Sequence, residues 1–203
     1  VSAVGSLREH LKPGHLVLCD QFFDRTKGIR KSTFFGGGVV AHVSFADPVC
    51  NTLTTTIHRA AQALGDVVVH HGGTYVCMEG PLFSTKAESH LYRSWGADLI
   101  GMTVLPEAKL AREAEMCYAT IASVTDYDCW HEEVVDIHSV IQNLTKHAEI
   151  VKRVVKRAIS QIPTSRDGHG CASALANALI SRPDDFPPEK REAFEFLLKK
   201  YLA

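Results

Sequence analysis

No apolar run in this chain approaches the ~20 residues that a bilayer-spanning helix requires, and its opening residues lack the pattern of a secretion signal. Excess charge is missing too. Lys and Arg number 22 against 23 Asp and Glu, a net charge of −1, so there is no electrostatic footprint for nucleic acid or an anionic membrane. The triplet Gly36-Gly37-Gly38 lacks the Gly-Lys-Ser/Thr ending of a phosphate-cradling loop, and counts only as a flexible stretch. No C-x-x-C pair occurs among the six cysteines, Cys19, Cys50, Cys77, Cys117, Cys129 and Cys171. Several of them sit in apolar runs, where a cysteine behaves as a small buried hydrophobe. The expectation is a reduced, cytoplasmic setting, with the nucleus admitted beside it, and no metal site. The adjacent His70 and His71 would point to opposite faces of a strand and would not share an ion. There is no internal repeat and no low-complexity tract.

What is present suits one folded domain over residues 1–203: 45% apolar and 22% charged residues, ordinary for a globular core. "VSAVGSLRE" opens in strand-like fashion, as if the chain started inside a domain, so preceding strands are expected to be missing. "HLVLCDQF" reads as a strand, "FDRTKGIRKSTFFGGGVVAH" as a long loop, and "PVCNTLTTTIHRAAQALG" as a helix ending at Gly65. "DVVVHHG" and "TYVCMEG" read as strands joined by a Gly-Gly turn. Thr85 and Glu88 have capping-box spacing at the head of a helix with Leu91 and Trp95 on one face. A strand "ADLIGMTV", a helix "PEAKLAREAE" with proline in its first turn, a strand "CYATIASV" and a long amphipathic helix over 136–162 follow. The tail reads as two more helices, "CASALANALISR" and "PPEKREAFEFLLKKYLA", after a glycine-rich break at 168–170. Alternating strands and helices predict an α/β fold, a mixed central β-sheet flanked by helices.

In open α/β sheets ligands collect at the carboxyl ends of strands. Three polar segments are expected there: "MEGPLFSTKAES", "GMTVLPE" and "TDYDCW". The last is the most unusual, because Asp126 and Asp128 end an apolar run where each is costly to desolvate. Asp126 alone equally suits a turn or a helix cap; Met102 and Phe83 alone equally suit core packing, and His42 a structural role. Burial and a neighbouring carboxylate both raise a carboxyl pKa, which would let an aspartic acid hold a proton for general-acid work near neutrality.

"VSAVGSLRE", "DQFFDRT", "MEGPLFSTKAES", "WGADLIGMT" and "TDYDCW", in this order, resemble the methylthioadenosine phosphorylases of the nucleoside phosphorylase family. The likeness runs from residue 1 to about residue 160, and is less clear over the tail helices. It implies phosphorolysis of 5′-methylthioadenosine to adenine and 5-methylthioribose 1-phosphate, with phosphate as co-substrate and no organic cofactor or metal. It further implies a homotrimer of α/β subunits acting in purine and methionine salvage, with neither nucleic acid nor membrane as partner. By the same resemblance Asp126 addresses purine N7 and Asp128 the exocyclic amine. Phe83 packs on the purine with Ser84 beside it, Met102 lies under the ribose, and Ser2, the Ala3 amide and Thr103 hold phosphate. His42 reaches the 5′ end of substrate in a neighbouring subunit.

An acceptor-only carboxylate opposite position 6 favours an amino group over a carbonyl, hence adenine over 6-oxopurines. Two departures stand out. Leu82 occupies a place where the family usually has arginine, and the glycine-rich phosphate loop and Arg-His phosphate clamp have no counterpart in the 203 residues. Two other readings follow: a broader purine nucleoside or methylthioinosine phosphorylase, and a catalytically silent purine-binding or assembly subunit.

Overall fold

Four consecutive residues, Leu16, Val17, Leu18 and Cys19, are each almost wholly buried, as befits a strand covered on both faces. In the computed structural model, which describes residues 1–131, 137–166 and 169–201, they form the strand β2 (Leu16–Cys19). Leu16 and Leu18 face one apolar cluster with Ile57, Ile121, Val151 and Val154. Val17 and Cys19 face another with Val4, Tyr75, Leu99 and Val124. This period-2 division is what a pleated strand imposes.

The other strands are β1 (Ser2–Ser6), β3 (Gln21–Arg25), β4 (Val69–His71), β5 (Thr74–Met78), β6 (Leu99–Gly101) and β7 (Thr120–Tyr127). They make one seven-stranded mixed sheet in the order β3-β5-β6-β1-β7-β2-β4. β3, β5 and β6 are parallel neighbours, β1 runs against β6 and with β7, and β2 runs against β7 and with β4. The helices are α1 (Asn51–Gln62), α2 (Lys86–Ser94), α3 (Val104–Glu113), α4 (Ile137–Ile159) and α5 (Pro188–Leu198). α1 and α4 cover one face through Ile57, Ala60, Ala61, Val151, Val154 and Ala158. α2 packs Tyr92 against Leu7, Val76 and Ile100. The expected capping box is formed: Thr85 accepts from the Glu88 amide, and the Glu88 carboxylate accepts from the Thr85 amide. No helix among the described residues is long and apolar enough to cross a membrane.

The structure differs from the sequence expectations in two places, the strand "HLVLCDQF" and the helix "CASALANALISR". "HLVLCDQF" divides at Asp20 into β2 and β3, which part to different regions of the sheet, because Asp20 turns to accept from the Gly73 amide (3.0 Å). β4 and β5 are joined by Gly72-Gly73 as expected, and take different neighbours: β4 pairs with β2, β5 with β3 and β6. The regular part of α3 begins at Pro106 as expected, with the extended Leu105 (φ −116°, ψ 138°) just before the proline. "CASALANALISR" is not a helix. Only Gly170–Ser173 form a 3₁₀ turn, and Leu179 then bridges to Ala41 in extended form. Tertiary contact overrides helix propensity here, since Leu175 and Ala178 join Phe35, Val39, Phe194 and Leu198 in a separate apolar cluster. The expected start of α4 at Asp136, Gly168 of the glycine-rich break and the last two residues lie outside the described residues.

Candidate active site

The pairing of β1 with β7 is irregular at one point. Val4 opposes Val124, but Gly5 opposes Asp126, so Thr125 is an extra residue, a bulge. Without it Gly5 would face Thr125, and Asp126 would share the face of Val4 and Val124. The bulge instead turns Asp126 to the face of Gly5 and Ile100. Space there is tight: a Cβ on Gly5 would lie 3.2 Å from Asp126 Oδ1, 3.3 Å from Ile100 and 3.5 Å from the Asp128 Cβ. The groups freed by the bulge are satisfied. Thr125 Oγ1 donates to Val4 O (3.2 Å) or Asp126 Oδ2 (2.7 Å), and Asn143 Nδ2 from α4 donates to Thr125 O (2.7 Å).

Asp126 and Asp128 line one end of a cleft of about 300 Å³. Burial is the main reason that the Asp126 carboxyl is pushed up, to about 6; the Thr125 hydroxyl opposes this and the Asp128 carboxylate adds to it. Asp128 is also raised, again chiefly by burial, with Ser89 and Cys129 pulling the other way. The cleft walls include Ser2, Ala3, Phe83, Met102 and Thr103. The structure therefore brings together seven of the nine residues singled out from the sequence.

The two others stand apart. Ser84 points its hydroxyl to Met78 Sδ (3.6 Å), and its carbonyl accepts from Cys129 Sγ (3.2 Å). His42 lines a different cavity, with Asp47, Arg112 and Ser173, and its amide donates to Ala178 O (2.7 Å). Within a single chain it does not reach the cleft. Leu82 is 82% exposed and takes no part in the cleft wall, whereas Phe83 beside it, 54% exposed, lines the cleft.

The opposite end of the cleft is a corner of hydroxyls. Ser2 Oγ lies 3.0 Å from both Thr103 Oγ1 and Tyr75 Oη. Tyr75 is completely buried, and a Cβ on Gly101 would fall 2.0 Å from its oxygen, so glycine is required for this approach. Along β1 this corner and the carboxylate end are three residues apart, about 10 Å at ~3.3 Å per residue. Each of the three polar segments lies at the carboxyl end of its strand, as expected: Met78 ends β5, Met102 and Thr103 follow β6, and Asp126 lies next to the end of β7. β7 runs opposite to β5 and β6, and the two halves meet across β1 as a floor.

Arg30 was invisible in the sequence reading, being part of a presumed flexible loop. Its Nη1 donates to the carbonyls of Met102 (2.5 Å) and Leu105 (2.7 Å). Its Nη2 donates to Glu79 O (2.6 Å), and its Nε meets the Glu79 carboxylate at 2.9 Å. One guanidinium thus ties the segment after β5 to the segment after β6 and holds Met102 in place. Next to the cleft lies a broader apolar groove of about 1050 Å³ that shares Met102 and Thr103 with it and includes Ile29, Phe34 and Met116.

A sheet carrying a half-buried aspartate with a raised pKa opposite a hydroxyl corner stands beside a sequence profile that matches residues 1–160, that of the phosphorylase superfamily. The chain belongs to the phosphorylase superfamily. Among its relatives, the S-methyl-5′-thioadenosine phosphorylase of Geobacter sulfurreducens is 51% identical over 204 residues, 100% of this chain and 71% of the relative. That of Koribacter versatilis is 54% identical over 205 residues, covering 100% and 69%. Among solved structures, a methylthioadenosine phosphorylase from an antarctic soil metagenomic library superposes with a TM-score of 0.91 at 48% identity, over 97% of this chain and 70% of that one. Methylthioadenosine phosphorylase from Schistosoma mansoni in complex with adenine gives 0.80 at 34% identity, over 86% and 68%. The likeness includes the C-terminal segment, which the superfamily profile does not reach. This phosphorylase-superfamily chain thus spans about 70% of the length of those relatives.

Proposed function

We propose that this chain carries out reversible phosphorolysis of 5′-methylthioadenosine, yielding adenine and 5-methylthioribose 1-phosphate. The observation that carries the proposal is the half-buried Asp126, with a carboxyl raised to about 6, at one end of a cleft whose other end is lined by hydroxyls. The names of relatives near 50% identity support the same substrate. Breaking the C1′–N9 bond leaves its electron pair on the purine and positive charge on the ribose. Asp126 gives its proton to N7 as the bond breaks, while a phosphate oxygen forms the new bond at C1′. Ser2, the Ala3 amide and Thr103 orient the phosphate. Phe83 stacks on the base, with Ser84 near the same edge, and Met102 supports the ribose. Asp128 accepts from the amino group at position 6, which excludes 6-oxopurines.

His42 serves a neighbouring site in a trimer, since it is distant from its own cleft. Exposed Ile29 and Met116 in the broad groove supply an apolar face for that assembly. The setting is the cytoplasm, in purine and methionine salvage, with phosphate as the only other reactant.

The test is phosphate-dependent release of adenine from methylthioadenosine by the purified protein and by Asp126→Asn. Loss of a general acid predicts a fall in kcat of ~10²–10⁴. Equal turnover by the variant would remove Asp126 from the mechanism. Purine binding without any release would overturn the activity and leave a binding subunit.

A further inference from the structure

Cysteines dispersed along the sequence are gathered by the fold. Cys50 precedes α1 and is fixed by its amide donating to Tyr118 O (2.7 Å). Cys117 lies just before β7, and His169 and Cys171 flank and enter the 3₁₀ turn Gly170–Ser173. One ligand atom from each of these four residues lies within 4.8 Å of the other three, and Cys117 Sγ is 3.9 Å from His169 Nδ1. We infer that Cys50, Cys117, His169 and Cys171 form a structural binding site for a zinc-like divalent cation.

The donor set is three sulfurs and one imidazole, the soft and borderline combination that selects tetrahedral zinc. With Zn–S bonds of about 2.3 Å, a tetrahedron has S···S edges of about 3.8 Å. The observed spread closes to that by side-chain rotation of about 1 Å or less. Binding releases three thiol protons to water, and neutral His169 donates a ring lone pair. The resulting net charge is −1, and Arg112, which lines the adjoining cavity with Gly170 and Ser173, supplies a cation beside it. A separate cavity of about 340 Å³ touches Cys50, Cys117 and His169, giving the ion a route in. Four protein ligands leave no open position, so the ion takes no part in chemistry at the distant carboxylates.

The site joins three segments with no sequence proximity: the start of α1, the approach to β7, and the C-terminal turn. That turn leads into Leu175–Ile180, which hold the loop bearing His42 through Ala178 O, the Ala41–Leu179 bridge and the Ile180 amide on Val40 O. A bound ion therefore fixes the C-terminal segment against the sheet.

The experiment is metal analysis of the protein purified under reducing conditions without chelator, followed by cobalt substitution. About one zinc per chain is expected, together with thiolate-to-cobalt charge-transfer bands and tetrahedral d–d absorption. Cys171→Ser and the half-exposed His169→Asn should each lower zinc content to about a tenth or less, while Cys129→Ser leaves it unchanged. A chelator should lower Tm of the parent and not of those two variants. Absence of stoichiometric zinc together with no cobalt spectrum would overturn the inference. So would a mass two hydrogens low with a mapped disulfide among Cys50, Cys117 and Cys171, since the thiols would then serve redox closure.

Discussion

Asp126 loses its proton at a cost that should be visible in stability as well as in rate. Its folded-state pKa is raised from an ordinary 3.8 to about 6. Between those values the folded chain binds more protons than the unfolded one, so its contribution to stability is full below about 4 and is lost as pH rises through about 6. The span corresponds to about 3 kcal/mol between the two protonation states, reduced by the partial exposure of the group. Asp126→Asn should therefore raise stability at pH 8 by about 1–2 kcal/mol while abolishing most turnover. Urea unfolding of both proteins at pH 5 and pH 8 tests this: the difference should shrink at the lower pH. In catalysis, kcat/KM should fall above about pH 6 as Asp126 loses its proton, and that descending limb should vanish in the variant. Histidines act in the opposite sense. His70 Nε2 and His15 Nδ1 are 3.0 Å apart, and both pKa values are depressed, chiefly by burial, with the charges of His15 and His10 adding to it at His70 and those of Lys12 and His10 at His15. The folded chain there binds fewer protons than the unfolded one, so stability is lost as pH falls below the ordinary 6.5. His70→Asn should flatten the acid side of a Tm–pH profile, and an unchanged profile would mean that the pair carries no such linkage. His71 turns to the other face, against His58 with ring centroids 5.2 Å apart, as alternation along a strand requires.

Elements here depend on single polar anchors. Arg30 spans the ends of β5 and β6 by donating to the carbonyls of Glu79, Met102 and Leu105, the last of which also accepts from Cys77 Sγ of β5 (3.7 Å). Arg30→Met should cost about 2–4 kcal/mol, because it removes several charge-assisted bonds at once and the ion pair with Glu79. It should also raise KM for substrate, since Met102 is displaced. Chemical denaturation and steady-state kinetics on the same preparation separate the two effects. Such anchors explain which parts of the molecule were legible in the sequence. The apolar runs of the strands, the Thr85–Glu88 box and the odd pair Asp126 and Asp128 are local patterns, and each was read from adjacent residues. Strand order is not local. Asp20 and the Gly72-Gly73 turn read as a continuing strand and a simple connection, yet they send β2 and β4 to one side of the sheet and β3 and β5 to the other. Arg30, Tyr75 and Gly101 matter only through partners 26 to 75 positions away, so no spacing rule could have found them. The same holds for Cys50, Cys117, His169 and Cys171, whose long separations hid a cluster that the fold assembles.

At the scale of the whole molecule, an apolar groove beside the cleft and a His42 remote from it both make sense in an assembly. Light scattering on the eluted protein should report a trimer at micromolar concentration. A charge placed in the groove, Met116→Glu, should shift it toward monomer and lower activity without lowering the helix signal in circular dichroism. A charged variant that stayed trimeric would place the interface elsewhere. The bulge at Thr125 has its own consequence for how such a molecule can change over evolutionary time. Because one extra residue decides which side of the sheet Asp126 and Asp128 occupy, loss of a single codon there would send both acids to the far side while leaving every other strand in register. The shortest mutational step from an enzyme to an inert fold is therefore a change of length, and chain length between Val124 and Asp126 should be under stricter selection than the identity of the residue that fills it.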